Sequence, residues 1–310
     1  MDYPKFIQEQ IEEIRREVAD GTAINAVSGG VDSSVVTVLA HRALGPRLRT
    51  IFVDNALMRE GEPNLVVQGF ASMGIAVELV DARKEFLGAL KGLTDPELKR
   101  QAITDTFYRD VFATAVRRSG AKFLLHGTIL TDIEETVAGI KRQHNILSQL
   151  GIDTNEAYGY KVIEPLKTLR KDGVRELARQ LGLPDSIARR IPFPGPALAT
   201  RIVGEVTAER LATVRAATAI VEAELADTGA FQYFAVLLGD HATGIRAGHR
   251  EFGQIIVVRC IDSVDAREAS VRELPWELLH RISQRITRIP GVNRCLYDLT
   301  PKPPATVEYV

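Results

Sequence analysis

Seven consecutive residues, Ser28-Gly29-Gly30-Val31-Asp32-Ser33-Ser34, concentrate more usable chemistry than any other stretch of the chain. Two glycines let a backbone turn sharply and approach a ligand without a side-chain clash. A helix starting where they end adds unpaired N–H groups and the positive end of a dipole, which together make an anion site. Ser28, Ser33 and Ser34 add hydroxyl donors, and Asp32 adds a carboxylate suited to Mg²⁺ beside phosphate. The plainer account is a Gly-Gly turn capped by Asp32. It leaves the other specified positions without a purpose.

Two competing phosphate loops are excluded. No Gly-x-Gly occurs in the chain, so the dinucleotide fingerprint is absent in its usual form. No lysine follows a glycine, so there is no Walker-type loop either.

The elements around the loop tell how it is held. Ala23–Val27 reads as a strand and the stretch from about Ser33 to Leu44 as the helix after it. Leu48–Val53 and Ala76–Val80 are further strands with a helix around Asn64–Met73 between them. Pro96–Arg118 has apolar residues at helical spacing, Lys122–His126 reads as a buried strand, and Lys171–Leu181 as a helix. Strands alternating with helices predict a doubly wound α/β domain with a parallel sheet, whose ligands sit at the carboxyl ends of the strands. The proline-rich stretch Ile191–Ile202 (IPFPGPALATRI) breaks the rhythm. Beyond it a long helix (Thr207–Leu225), strands near Ala235–Leu238 and Ile255–Cys260, a helix at Trp276–Ile286 and a strand at Asn293–Leu299 predict a smaller α+β domain. The expected division is 1–190 and 191–310.

Composition narrows the function classes. The 310 residues carry 39 Lys+Arg against 40 Asp+Glu, with 45% hydrophobic residues, which suits a globular protein and excludes disorder. Residues 1–190 hold 26 basic and 26 acidic side chains, and residues 191–310 hold 13 and 14. Neither part is basic, so no nucleic-acid partner is expected. No apolar run long enough to span a membrane occurs, and the N-terminus reads as an exposed amphipathic helix rather than a signal peptide. Cys260 and Cys295 lack ligand spacing and read as reduced structural residues, which suits a cytoplasmic protein. Of ten lysines only Lys302 lies beyond Lys171, among sixteen arginines in the same stretch.

The loop resembles the SGGxDS pyrophosphate loop of the N-type ATP pyrophosphatases, which transfer AMP from ATP to an oxygen. Longer blocks narrow the resemblance to GMP synthetase: FVDNALMREGE (Phe52–Glu62), HGTILTDIEET (His126–Thr136), IKRQHN (Ile140–Asn145), VIEPLKTLRKDGVRELARQLGLP (Val162–Pro184), RIPFPGPAL (Arg190–Leu198) and KPPATVEYV (Lys302–Val310). They run through nearly the whole chain in consistent order. The resemblance implies an ATP pyrophosphatase domain over 1–190 and a dimerisation and substrate domain over 191–310.

By the same resemblance ATP and Mg²⁺ would sit on Ser28–Ser34, with Asp32 at the metal and Asp132 helping to hold it. Val53, Asp54 and Gly127 would border the adenosine. Lys141 and Lys171 would neutralise the departing pyrophosphate. Arg100, Arg201, Lys302 and Glu308 would meet the nucleotide acceptor, XMP, the last two from a tail folded over it. The expected reaction is ATP-dependent amination of XMP to GMP through an adenylyl intermediate, a ligase activity. Without the resemblance, Asp54 caps a turn, Lys141 and Lys171 are solvated helix charges, and Arg100 is helix surface.

The chain departs from the family pattern at His126 (usually Gln), Gln143 (usually His), Ala197 (usually Gly), Ala247-Gly248 and Val310. These departures fall mainly in the second domain and the lid, and none in the ATP loop. They keep open another acceptor for the same AMP transfer, or a non-catalytic nucleotide-binding paralogue. Neither cysteine stands on a glycine-flanked elbow, so the split arrangement is expected, in which a separate glutamine amidotransferase subunit supplies ammonia. A homodimer through the C-terminal domain and a substrate lid between Ile133 and Tyr160 complete the expectations.

Overall fold

The computed structural model describes residues 1–137, 160–188, 193–264 and 266–310. Lys141, Gln143 and most of the expected lid lie outside the described residues. The chain packs as two compact units. The first comprises Met1–Asp54, Gly61–Ala82 and Asp105–Arg190, and the second Asn55–Glu60, Arg83–Thr104 and Ile191–Val310. Two short segments upstream of residue 190 therefore pack with the C-terminal stretch, which a single cut at 190 does not capture.

In the first unit, β1 (Ala23–Ala26), β2 (Leu48–Asp54), β3 (Val77–Asp81), β4 (Phe123–Leu125) and β5 (Lys161–Ile163) form one parallel sheet in the order β3-β2-β1-β4-β5. The chain builds outward from β1 through β2 to β3, then returns to β1's other side for β4 and β5. The switch point thus lies between β1 and β4, where open α/β sheets bind ligands. Helix α1 (Tyr3–Val18) is capped by the Asp2 carboxylate, which accepts from the Lys5 N–H at 3.1 Å, and buries Ile11, Ile14 and Val18. Helix α2 (Val31–Leu44) is apolar on nearly every side and almost wholly buried. Helix α3 (Glu62–Ala71) comes after β2 in the chain, whereas α4 (Arg83–Leu90), after β3, belongs to the second unit.

The helical spacing read over 96–118 is observed as helix throughout, with a π-helical segment inside it. Helix α5 (Pro96–Asp105) runs into a π-helical stretch, Thr106–Phe112, and then α6 (Ala113–Ser119). Aromatic packing goes with the widened turn, because Phe107 stacks on Phe112 with centroids 5.8 Å apart and meets Tyr108 edge-on at 4.9 Å.

In the second unit, β6 (Gln232–Arg246) and β7 (His249–Asp262) pair antiparallel through a long hairpin. The strands β8 (Ser270–Val271) and β9 (Val292–Tyr297) both pair with β7, β9 running parallel to it. The tip residues Ala247 (φ 48°) and Gly248 (φ 80°) are both left-handed, the conformation that tight hairpins demand. Before these strands comes a long helix, Ala208–Leu225, whose Thr207 cap accepts from the Arg210 N–H. It buries Leu211, Val214, Val221 and Leu225. The observed fold is the expected α/β unit joined to a smaller α+β unit. No described helix is long and apolar enough to cross a membrane.

Candidate functional site

The loop between β1 and α2 is built from its own hydroxyls. Gly29 has φ 77°, a conformation that favours glycine, and Gly30 is the extended N-cap of α2. Ser33 Oγ accepts from the Ser28 N–H at 3.1 Å and lies 3.0 Å from Ser28 Oγ. Ser34 Oγ donates to the Gly30 carbonyl at 2.8 Å. Beneath the loop a buried relay joins three elements. Asn25 donates to Thr37 Oγ1 at 2.6 Å, Thr50 donates to Asn25 Oδ1 at 2.8 Å, and Thr37 donates to the Ser33 carbonyl at 2.7 Å. Sequence reasoning missed this relay. Its signal was three polar residues at otherwise apolar positions of β1, β2 and α2.

Gly127 stands past the end of β4. A Cβ there would lie 3.2 Å from Ser33 N and 3.3 Å from the Asp32 carbonyl carbon, so glycine is what lets the two loops meet at the switch point. On either side of it, His126 Nδ1 is 3.0 Å from Thr128 Oγ1, which donates to Glu164 Oε1 at 2.5 Å. Thr128 has one hydroxyl proton, and it goes to Glu164. His126 Nδ1 is therefore the donor in its own contact.

Lys171, the first residue of helix α8 (Lys171–Gln180), reaches this site. Its Nζ is 2.5 Å from Asp32 Oδ2, while Asp32 Oδ1 is buried with no hydrogen-bond partner among the described residues. An orphaned carboxylate oxygen is a fit for a hard cation such as Mg²⁺, which binds through one or two carboxylates plus phosphate oxygens. Asp132 is used locally, as its Oδ2 accepts from the Ile129 N–H at 3.1 Å at the start of α7 (Leu130–Val137). Among the described residues no group of three or more His, Cys, Asp or Glu could hold a metal. Val53 is buried and, like Asp54, lies at the carboxyl end of β2, paired in register with Val80 and Asp81.

The remaining sequence-predicted residues belong to the second unit. Arg201 is fully buried; its guanidinium lies 3.3 and 3.4 Å from the two Glu308 oxygens and 4.4 Å from the Phe234 ring centroid, and Nη1 has no partner among the described residues. Gln232 also donates to Glu308, at 2.6 Å. Lys302 Nζ donates to the Ala266 carbonyl at 2.7 Å, and its backbone bridges Ala269. Arg100 donates to the Val310 carbonyl at 3.0 Å and pairs with Glu97. Its neighbour Lys99, which the sequence did not single out, is buried, and its Nζ donates to the carbonyls of Ala199, Ile202 and Gly204. Burial, helped by the nearby Arg210 and Arg100 charges, pushes the Lys99 ammonium down to about 8.

The fold and loop define an α/β protein with a glycine- and hydroxyl-rich loop at the switch point of a parallel sheet of five described strands. Residues 219–309 match the family model described as GMP synthase C terminal domain. The chain is 52% identical to the B subunit of glutamine-hydrolyzing GMP synthase from Archaeoglobus fulgidus and 47% identical to that from Pyrococcus horikoshii, over 100% of both chains in each case. It is 48% identical to the Methanocaldococcus jannaschii protein of the same name, over 99% of each chain. Among solved structures it is similar to the NH3-dependent NAD synthetase of Campylobacter jejuni, at 15% identity and a TM-score of 0.48 over 63% of this chain and 80% of that one. The chain belongs to the family of glutamine-hydrolyzing GMP synthase B subunits.

Proposed function

We propose that the chain is the synthetase half of a split, glutamine-hydrolysing GMP synthase. It aminates XMP to GMP with cleavage of ATP, and a separate glutaminase subunit delivers the ammonia. The observation that carries this reading is the Ser28–Ser34 loop, whose Asp32 pairs with Lys171 at 2.5 Å beside Gly127.

The oxygen on carbon 2 of the xanthine ring attacks the α-phosphorus of ATP, and the bond to the β-phosphate oxygen breaks, releasing pyrophosphate. Ammonia then attacks carbon 2, AMP leaves with its bonding electrons, and a proton is lost to give the amine. The chain's part in the first step is positioning and neutralisation. The α2 N-terminus and the Ser28, Ser33 and Ser34 hydroxyls hold phosphate oxygens. Lys171 exchanges Asp32 for the departing pyrophosphate, and Lys141 is assigned the same task by its motif. Asp32 would hold Mg²⁺, with Asp132 as a second carboxylate; the ion supplies charge neutralisation on the phosphates. Val53, Asp54 and Gly127 border the adenosine.

Arg100, Arg201, Lys302 and Glu308 are assigned to XMP. The buried Arg201–Glu308–Gln232 cluster supports this, because a buried guanidinium nitrogen without a partner suits an acceptor on a bound base. The unit holding residues 191–310 is also assigned homodimerisation, which the exposed Ile245 and Phe252 near the β6–β7 hairpin tip favour.

One assay tests the reading: XMP, ATP, Mg²⁺ and high ammonia, with GMP, AMP and pyrophosphate measured. Stoichiometric GMP, AMP and pyrophosphate are expected. ATP cleavage without XMP would point to another acceptor, and ATP binding without cleavage to a non-catalytic paralogue. Asp32→Ala is expected to abolish turnover in a folded chain, and survival of activity would remove Asp32 from the metal site.

A further inference from the structure

Arg259 sits within β7 in the otherwise apolar run Ile255–Cys260. A fully buried arginine in a central strand demands partners, because an unpaired charge there is costly. Its side chain is 1% exposed, and it finds those partners almost wholly in the chain that follows β9. Nη1 donates to Asp298 Oδ2 at 2.6 Å and to the Thr300 carbonyl at 2.9 Å. Nη2 donates to the Thr306 carbonyl at 2.9 Å, and Nε to the Val307 carbonyl at 3.2 Å.

These contacts have a pattern. Asp298 and Thr300 are where the tail leaves the sheet; Thr306 and Val307 are where it returns. One planar fork therefore closes the segment 300–307 on itself. Three of its four partners are backbone carbonyls, so what it fixes is the path of the main chain. Lys302 lies inside the closed segment and Glu308 follows its last anchor.

We propose that Arg259 is a positioning residue for the XMP-binding tail, setting where Lys302 and Glu308 stand. This rests on the reading of that tail as part of the XMP site. A lysine could not replace it, since a single ammonium cannot span the entry and the exit of the loop as a guanidinium does.

The test uses the full chain with Arg259→Lys, Arg259→Met and Glu308→Gln, assayed with XMP, ATP, Mg²⁺ and ammonia. Amide hydrogen exchange is followed over residues 298–308. Arg259→Lys is expected to raise KM for XMP by about tenfold or more, leave KM for ATP within about twofold, and speed exchange in the tail. Saturating XMP should restore most of kcat. Unchanged tail exchange in the folded variant would overturn the proposal, as would an equal rise in both KM values. If Arg259→Met fails to fold, Asp298→Asn weakens the entry anchor alone, and the same shift in XMP KM and exchange is expected at smaller size. Glu308→Gln separates the two readings. If it leaves KM for XMP unchanged, the tail is not the XMP site, while the exchange result still decides whether Arg259 organises it.

Discussion

Lys171 Nζ stands 2.5 Å from Asp32 Oδ2, which joins the first residue of one helix to the first turn of another 139 residues upstream. Both side chains are partly exposed, so the pair adds about 1 kcal/mol or less to stability. On the proposed function its value would be preorganisation, a cation already held where phosphate would arrive. Lys171→Met is therefore expected to lower kcat by about 100-fold or more while shifting the thermal midpoint little. Steady-state kinetics beside a melting curve checks both. A large loss of stability with kcat retained would make the pair structural.

Gly127→Ala places a methyl 3.2 Å from Ser33 N and 3.3 Å from the Asp32 carbonyl carbon. Backbone cannot swing aside as a side chain does, so the loop itself must shift. KM for ATP should rise markedly, with a stability loss of about 1–3 kcal/mol. Gly88→Ala is the control, since its Cβ would meet nothing within 4 Å and alanine favours helix α4.

Ala197 is buried with φ 54°, a left-handed conformation at the position where the family resemblance expects glycine. Ala197→Gly should relieve the Cβ clash and stabilise the chain by about 0.5–1 kcal/mol after the entropy cost of glycine. Urea unfolding of the two forms would reveal it, and a destabilised variant would mean the buried methyl matters more than the strain.

Glu224 receives Arg285 Nη1 at 2.7 Å and Arg281 Nε at 2.6 Å, and these guanidiniums hold its carboxyl below the ordinary 4.5. A lowered carboxyl stabilises the fold above its ordinary value, and that contribution disappears as pH falls through the folded value. Glu224→Gln should therefore cost on the order of 1–2 kcal/mol at neutral pH. Below 4.5 the gap to the parent should close. Unfolding curves at neutral and acid pH would show a constant gap if the pairing were not responsible.

The sheet was legible because its strands are short apolar runs separated by amphipathic helices, and because the loop after β1 has few structural alternatives. Gly127 could be picked from its motif, although its physical reason, the approach to Ser33, lies in the packing alone. The π-helical turn escaped because apolar spacing at Phe107, Val111 and Phe112 satisfies either helix period over so few residues. Arg259 and Lys99 escaped for a different reason. Composition registers them as charges, and only burial turns them into ties between distant carbonyls. Arg100 drew attention instead, while its neighbour Lys99 holds three carbonyls.

The discontinuous second unit has a consequence for synthesis. Leu57, whose carbonyl accepts from the Leu198 N–H, and Phe86 and Leu90 are fully buried within a unit whose main portion begins at Ile191. On the ribosome these apolar residues emerge roughly 100 to 140 residues before the main portion of their unit, leaving sticky surface open for seconds. A fragment begun at Ile191 would in turn lack Arg59, the partner of Glu222, and the Met58 carbonyl that Arg215 holds. The second unit is thus complete only once the full-length chain has been made.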